Sequence, residues 1–153
     1  MVINANSGSK DLVERQLSNF YPARISVMDN EQEIQVTSVE NAIQAMKFAY
    51  SDPRRLEAFL STPAYAKKLG QAAGKDFVYW DGRAIRYNSD EHRELIAELI
   101  WAKYEQNPDL MAVLLGTGTE KIVHRVGPEN PDTSLPAELF CQILMDIRMT
   151  HRK

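Results

Sequence analysis

The stretch Thr37-Ser-Val-Glu-Asn-Ala-Ile-Gln-Ala-Met-Lys-Phe48 decides how this sequence is interpreted. Its apolar residues recur three and four positions apart, as they do on the buried side of an amphipathic helix. These residues are Val39, Ala42, Ile43, Met46 and, just beyond the stretch, Tyr50. We therefore expect a helix here, opened by Thr37.

The polar residues of the same helix form a row. Glu40, Gln44 and Lys47 lie at positions i, i+4 and i+7, so they share one side of the helix. Two explanations are open. In the commoner one, Glu40 forms a capping box with Thr37 and the row is a solvated face. In the other, an acid, an amide and an ammonium group stand together as part of a functional site.

Two hairpins flank this helix. Residues 25–36 contain two short β-favouring runs around Asp29-Asn30, and residues 77–80 and 83–87 surround Asp81-Gly82. Asp-Gly between two such runs is a strong hairpin signal, because a tight turn needs residues that tolerate a positive φ.

The remaining pattern is mostly helical. Further helices are predicted after Asp52-Pro53, after Thr62-Pro63 as far as Gly70, over about 90–105, from Asn107-Pro108 to near Gly116, and from Pro136 onward. Residues 121–126 alternate weakly and are read as a strand. We expect a single α+β domain over residues 1–153, mostly helical with a small antiparallel sheet. Residues 1–10 are expected to fray, with a flexible N-terminus extending to residue 12.

Composition limits the function. The 153 residues are 44% apolar and 25% charged, which is ordinary for a soluble globular protein. The net charge of −3 argues against binding duplex nucleic acid through the overall field, although a local patch remains open. The single Cys141 and the three histidines show no zinc-ligand spacing, so no metal or cofactor is expected. There is no signal-peptide pattern and no apolar run long enough to cross a membrane, so a cytoplasmic location without a membrane partner is expected.

Three other positions are candidates for a site. Asn19 and Phe20 stand in a loop that ends at Pro22, where they form either a base-stacking pocket or a loop anchor. Trp80, beside a hairpin turn, is either a stacking platform or cross-strand packing. His124 has no nucleophile near it in sequence, and an ordinary surface or core histidine is the default interpretation.

Several blocks, taken together, resemble the NADAR family and its YbiA-like group in order and spacing. The resemblance covers about residues 17–148, and the first two blocks are the specific ones. The blocks are Leu17-Ser-Asn-Phe-Tyr-Pro, Ser38-Val-Glu-Asn-Ala-Ile-Gln-Ala-Met-Lys-Phe48, Ala66-Lys-Lys-Leu-Gly70, Ala102-Lys-Tyr-Glu-Gln-Asn-Pro-Asp-Leu110, Leu114-Leu-Gly-Thr-Gly118, Ile122-Val and Ile143-Leu-Met-Asp-Ile-Arg148.

The resemblance implies a YbiA-like fold and an N-glycosidase activity. Known members act on phosphorylated ribosylamino-pyrimidine intermediates of riboflavin synthesis, or remove ADP-ribose from modified guanine. The implied partner is thus a phosphoribosyl or ADP-ribosyl small molecule, or an ADP-ribosylated nucleic acid base. Neither a metal nor a redox cofactor is implied. The oligomeric state is left open.

The family pattern also implies roles for individual residues. Glu40 would stabilise positive charge at C1′ and orient the attacking water. Either Glu129 or Asp132 would be the second acid. Asn19, Gln44 and Lys47 would hold the sugar, base and phosphate, and Phe20 and Trp80 would stack on the base.

The sequence departs from the family near its C-terminus. His124 stands where the family has a glutamate, and no Trp-Gly pair follows it. This departure supports an alternative function, a non-catalytic protein of the same fold that binds ADP-ribose or a related nucleotide.

Overall fold

In the computed structural model, which describes residues 2–125 and 133–152, seven helices are interspersed with six short strands. In chain order they are β1 (Val2–Asn4), α1 (Leu12–Leu17), β2 (Ile25–Asp29), β3 (Gln32–Val36), α2 (Val39–Ala45), α3 (Arg54–Leu60), α4 (Pro63–Gly70), β4 (Phe77–Trp80), β5 (Arg83–Arg86), α5 (Asp90–Gln106), α6 (Pro108–Gly116), β6 (Lys121–Val123) and α7 (Ala137–His151).

Helix α2 occupies the centre of the fold. It packs against α3, α4, α5 and β3, and all of its residues are buried. A seven-residue helix is too short to be stable by itself, so its stability comes from these contacts. Its polar residues are consequently enclosed together with its apolar ones.

The strands form three two-stranded sheets. Both predicted hairpins are confirmed, since β2 pairs antiparallel with β3 and β4 with β5. Asp81 and Gly82 have φ values of 52° and 76°, the left-handed conformation that a type I′ hairpin turn requires. The third pair, β1 with β6, is parallel and was not predicted.

The N-terminus differs from its prediction. Val2–Asn4 is a strand whose register places Val2 opposite Lys121 and Ile3 opposite Ile122, so this part of the segment expected to fray is held by pairing. Local sequence patterns cannot reveal that a strand pairs with a segment so distant in the chain. Helix α1 was also missed, although Asp11 caps it by accepting a hydrogen bond from the Glu14 amide.

The predicted start of α2 was one residue early. Ser38 is the N-cap, and its hydroxyl accepts a hydrogen bond from the Asn41 amide at 3.3 Å. Thr37 and Glu40 therefore form no capping box. The other predicted helices are confirmed, with small shifts at their ends: α3 is capped by Pro53 rather than Asp52, and α5 runs one residue longer than expected. The α+β class is confirmed.

Candidate functional site

Glu40 is a buried acid in the first turn of α2. Its residue is 8% exposed, and its backbone N–H donates to the carbonyl oxygen of Asn19 at 3.1 Å. This bond connects α2 to the loop that follows α1. The predicted Asn19 and Glu40 are thereby brought together by the backbone.

The Glu40 carboxylate is held by the next turn of its own helix. Gln44 Nε2 donates to Glu40 Oε1 at 2.6 Å. Burial raises the pKa of Glu40, and the Gln44 bond together with the charges of Lys47, Lys67 and His124 partly opposes that rise. The solvated-face explanation is therefore wrong for Glu40 and Gln44, because both are buried.

Gln44 lies directly against α4. A Cβ built on Gly70 would come within 1.7 Å of Gln44 Oε1, so only glycine leaves room for the amide. Within the described part of the chain, Gln44 Oε1 and Asn19 Oδ1 are buried without hydrogen-bond partners. A buried acceptor without a donor is costly and requires an explanation, and a bound ligand that supplies N–H or O–H groups is one.

The charges of two lysines, Lys47 and Lys67, act on this acid. Lys47 is half-buried, and burial lowers its pKa. The Glu40 carboxylate opposes that lowering, while the charges of Lys75 and Lys67 add to it. The Lys67 ammonium lies 5.4 Å from the centre of the Phe20 ring. Phe20 is itself half-buried, so part of its ring reaches the surface beside this cation.

Trp80 lies in the core, 8% exposed. Its ring centre is 6.1 Å from that of Phe59 and 6.0 Å from the Arg55 guanidinium. Base stacking by Trp80 stays a prediction. Glu129 and Asp132, the two alternatives for the second acid, lie outside the described residues.

The charged and polar residues around Arg55 bind one another, which gives them a structural role. The Asp29 carboxylate accepts hydrogen bonds from Arg55, from the Tyr50 hydroxyl at 2.6 Å and from the Asp81 amide at 2.9 Å. A cleft of about 340 Å³ lies beside these groups. Because the two opposite charges already neutralise each other, we place the functional site at Glu40 rather than in this cleft.

His124 was not predicted to belong to the site. It follows β6 directly, and its Nδ1 lies 2.5 Å from the carbonyl oxygen of Ala5. Among the charges that oppose the rise in the pKa of Glu40, that of His124 has the smallest effect. The sequence signal was available, since His124 stands at a position where the family pattern has an ionisable residue.

Lys103 supports the loop that carries Asn19, and the sequence analysis did not single it out. Its Nζ donates to the carbonyl oxygens of Gln16 at 2.8 Å and Ser18 at 2.9 Å. The residue is 1% exposed, and burial lowers the pKa of its ammonium to about 7. It fixes the end of α1 and hence the start of the loop that carries Asn19.

Comparison with known proteins identifies the family of this chain. A family model described as bacteriophage protein GP30.3 matches residues 12–149. The chain belongs to the GP30.3 family. Among solved structures, the NMR structure of the E. coli protein YbiA is similar to it, with a TM-score of 0.69 and 24% sequence identity over 98% of this chain and 84% of that one. A comparison with curated proteins gives no match.

These findings confirm the YbiA-like fold of this GP30.3-family chain. At this identity the likeness concerns the fold alone. Among the described residues, no cluster of three or more His, Cys, Asp or Glu side chains is suited to a metal ion. None of the helices in that part of the chain combines the length and apolarity needed to cross a membrane.

Proposed function

We propose that this protein is an N-glycosidase that hydrolyses the ribosyl C–N bond of a phosphorylated ribosylamine or an ADP-ribosyl N-glycoside. One observation carries the proposal: the carboxyl of Glu40 is buried, it is bonded to Gln44, its backbone is bonded to Asn19, and both of these amides have a buried acceptor without a donor among the described residues. The positive charges of Lys47 and Lys67 act on the same carboxyl. An acid, unsatisfied polar groups and cations together fit a polar, anionic ligand that is cleaved beside the acid. The resemblance to the NADAR family supports the same reaction.

Glu40 acts at the anomeric carbon. Cleavage of a ribosyl C–N bond builds positive charge at C1′ and the ring oxygen, and a carboxylate there stabilises that charge. Glu40 also accepts a proton from the attacking water. The Gln44 bond keeps the carboxylate in one orientation, which leaves its second oxygen for the water and the sugar.

The surrounding residues bind the rest of the substrate. Asn19 and Gln44 accept hydrogen bonds from ribose hydroxyls or from N–H groups of the base, which supplies the donors that they lack. Lys47 and Lys67 neutralise the phosphate, as lysine commonly does. Phe20 stacks on the base, with Lys67 beside its ring.

The test is direct. Purified protein is incubated with a ribosylaminopyrimidine phosphate, ADP-ribosylamine and an oligonucleotide carrying ADP-ribosylated guanine, and release of the free base or amine is followed by mass spectrometry. Glu40→Gln is expected to abolish the release. Glu98→Gln, which removes an exposed glutamate of α5, is the matched control and is expected to keep full activity.

A non-catalytic nucleotide-binding protein is the second candidate. The departure from the family pattern after His124, where no Trp-Gly pair follows, favours it. If no substrate is cleaved and yet ADP-ribose raises the melting temperature of the wild type, the binding function replaces the enzymatic one.

A further inference from the structure

The inference concerns how Asn19 is held in the position in which it meets the ligand, and it rests on the proposed function. Asn19 contributes a buried oxygen, Oδ1, that has no donor among the described residues. Such an acceptor binds a ligand well when it is already oriented before the ligand arrives, since ordering a loop during binding costs affinity. The orientation of Oδ1 depends in turn on what fixes the peptide groups on either side of Asn19.

Both of these peptide groups are hydrogen-bonded, and to different helices. The Ser18 carbonyl, which precedes Asn19, accepts a hydrogen bond from Lys103 Nζ of α5 at 2.9 Å. The Asn19 carbonyl accepts one from the backbone N–H of Glu40, in α2, at 3.1 Å. The Phe20 amide, in the same peptide group as the Asn19 carbonyl, donates to the Ser18 hydroxyl at 3.1 Å. The backbone around Asn19 is thereby held between α5 on one side and α2 on the other.

Lys103 makes its contact from inside the protein. The residue is 1% exposed, and its Nζ also donates to the Gln16 carbonyl at 2.8 Å and lies 5.0 Å from the centre of the Tyr104 ring. Both hydrogen-bonding partners are neutral, and burial lowers the pKa of the ammonium to about 7. Methionine would fill a similar space without the cost of burying a charge. The ammonium is therefore better explained by the loop that it holds than by the stability of the core.

We propose that Lys103 is a positioning residue for ligand binding: its bonds to the Gln16 and Ser18 carbonyls hold the backbone so that Asn19 Oδ1 meets the ligand in a fixed orientation. Lys103 acts through the loop and does not itself touch the ligand. The Glu40 carboxylate is oriented by Gln44 of its own helix, a bond that does not involve Lys103. Ligand affinity is therefore expected to depend on Lys103 much more than the chemical step does.

Lys103→Met removes the ammonium and keeps an unbranched apolar side chain. Gln106→Met is the matched control, because Gln106 belongs to the same last turn of α5 and also makes two hydrogen bonds to the backbone. Its Nε2 donates to the Ser26 carbonyl at 2.9 Å, and its Oε1 accepts from the Ser26 amide at 2.7 Å. Ser26 lies in β2, beyond the loop that carries Asn19. The control thus removes bonds of the same kind that do not adjoin Asn19.

Hydrogen exchange of the free protein tests the positioning itself. The amides of Phe20 and Tyr21 donate to the hydroxyl and the carbonyl of Ser18, so their exchange reports on the segment that Lys103 holds. Lys103→Met is expected to raise their exchange rates by about 10-fold, and Gln106→Met is expected to leave them unchanged. Unchanged rates in Lys103→Met overturn the inference. Melting temperatures show which variants are folded, and Lys103→Gln, with the same expected direction, replaces Lys103→Met if that variant does not fold.

Binding and kinetics test the consequence for the ligand. ADP-ribose is titrated calorimetrically into the wild type and both variants, and a ribosylaminopyrimidine phosphate is used for steady-state kinetics. Lys103→Met is expected to raise Kd and KM by about 10-fold while kcat stays within about threefold, and Gln106→Met is expected to change none of them. A side chain that only stabilised the fold would not produce this result, because partial unfolding lowers the apparent kcat and leaves KM unchanged.

The failures are distinguishable. If a folded Lys103→Met binds and cleaves as the wild type does, the inference is overturned and the proposed function stands. A fall in kcat at unchanged KM also overturns the inference, since the lysine would then act through stability. If the wild type neither binds ADP-ribose nor cleaves the ribosylaminopyrimidine phosphate, the proposed function is overturned, and the inference with it.

Discussion

Gln44 packs so closely on Gly70 that a Cβ at position 70 would come within 1.7 Å of the Gln44 amide oxygen. The same amide donates the 2.6 Å hydrogen bond to Glu40 Oε1. The shape of α4 therefore determines where the acid of the site points. The close approach of the Gln44 side chain to Gly70 thus affects the orientation of Glu40, one helical turn earlier in α2.

We expect Gly70→Ala to displace Gln44 and release Glu40 from it. Alanine normally favours a helix over glycine, yet here the added methyl group overpacks the interface, which costs about 1–3 kcal/mol of stability. A hydrogen bond to a charged group contributes about 1.5–3 kcal/mol. Its loss therefore predicts a fall of about 10- to 100-fold in kcat/KM. Steady-state kinetics and denaturant unfolding measure both effects.

Gly74→Ala is the control for this change. A Cβ on Gly74 meets nothing within 4 Å, so the same substitution four residues later adds a methyl group to open space. If Gly70→Ala leaves both activity and stability at the level of Gly74→Ala, the close packing of Gln44 on Gly70 does not position Glu40.

Glu40→Gln is expected to make the folded protein more stable at neutral pH while it removes activity. Burial raises the pKa of Glu40 above its unfolded value of 4.5, so the folded state binds a proton more tightly than the unfolded state. Stability from this group is fully present below pH 4.5 and is lost as pH rises through the folded pKa. A neutral glutamine does not suffer that loss.

Thermal unfolding at several pH values checks this expectation. The gap in melting temperature between Glu40→Gln and wild type is expected to widen as pH rises above 4.5 and to close at lower pH. A gap that is constant with pH would show that the carboxyl does not carry its charge at a cost in the folded state.

Local sequence patterns predicted the parts of the fold that depend on neighbouring residues. The Asp81-Gly82 turn and the long helix α5 follow from turn chemistry and from a 3.6-residue period. Strand β1 could not be predicted in this way, because its partner β6 lies more than a hundred residues further along the chain. Pairing over such a distance leaves no local pattern in a three-residue strand.

The sequence predicted which residues could form the site, but it did not predict that they are buried. The row of Glu40, Gln44 and Lys47 was recognised, but an amphipathic pattern assigns one side of a helix to solvent. Helix α2 is enclosed by α3, α4, α5 and β3, so the polar row lies inside as well. Burial of an acid by surrounding elements is a property of the tertiary structure that a helical period does not contain.

Lys103 is expected to make stability depend on pH above neutrality. Its pKa is about 7 in the folded protein against an ordinary value of 10.5, because burial disfavours the ammonium. The folded state thus binds this proton less tightly than the unfolded state, and the free energy of unfolding contributed by Lys103 rises between about pH 7 and 10.5. Lys103→Met is expected to remove that rise.

Urea unfolding of both proteins at pH 7, 8.5 and 10 tests the Lys103 prediction. Other groups titrate over this range in both proteins, so the informative quantity is the difference between their slopes. Equal slopes would contradict the prediction. Lys103→Met also leaves the Gln16 and Ser18 carbonyls without their donor, so weaker ligand binding through the Asn19 loop is expected alongside.

The buried pair of Arg55 and Asp29 is expected to be the most sensitive electrostatic contact outside the site. Their side chains are 6% and 2% exposed, and Arg55 also donates to the carbonyls of Phe48 and Tyr79 at 2.8 Å each. Removing one partner leaves an uncompensated buried charge, so Arg55→Gln is expected to cost about 3–5 kcal/mol. Arg54→Gln breaks the neighbouring pair with Asp52. The Arg54 side chain is 45% exposed, so this loss is expected to be far smaller. Denaturant unfolding of the two variants measures the contrast, and similar losses in both would show that burial does not set the strength of the Arg55 pair.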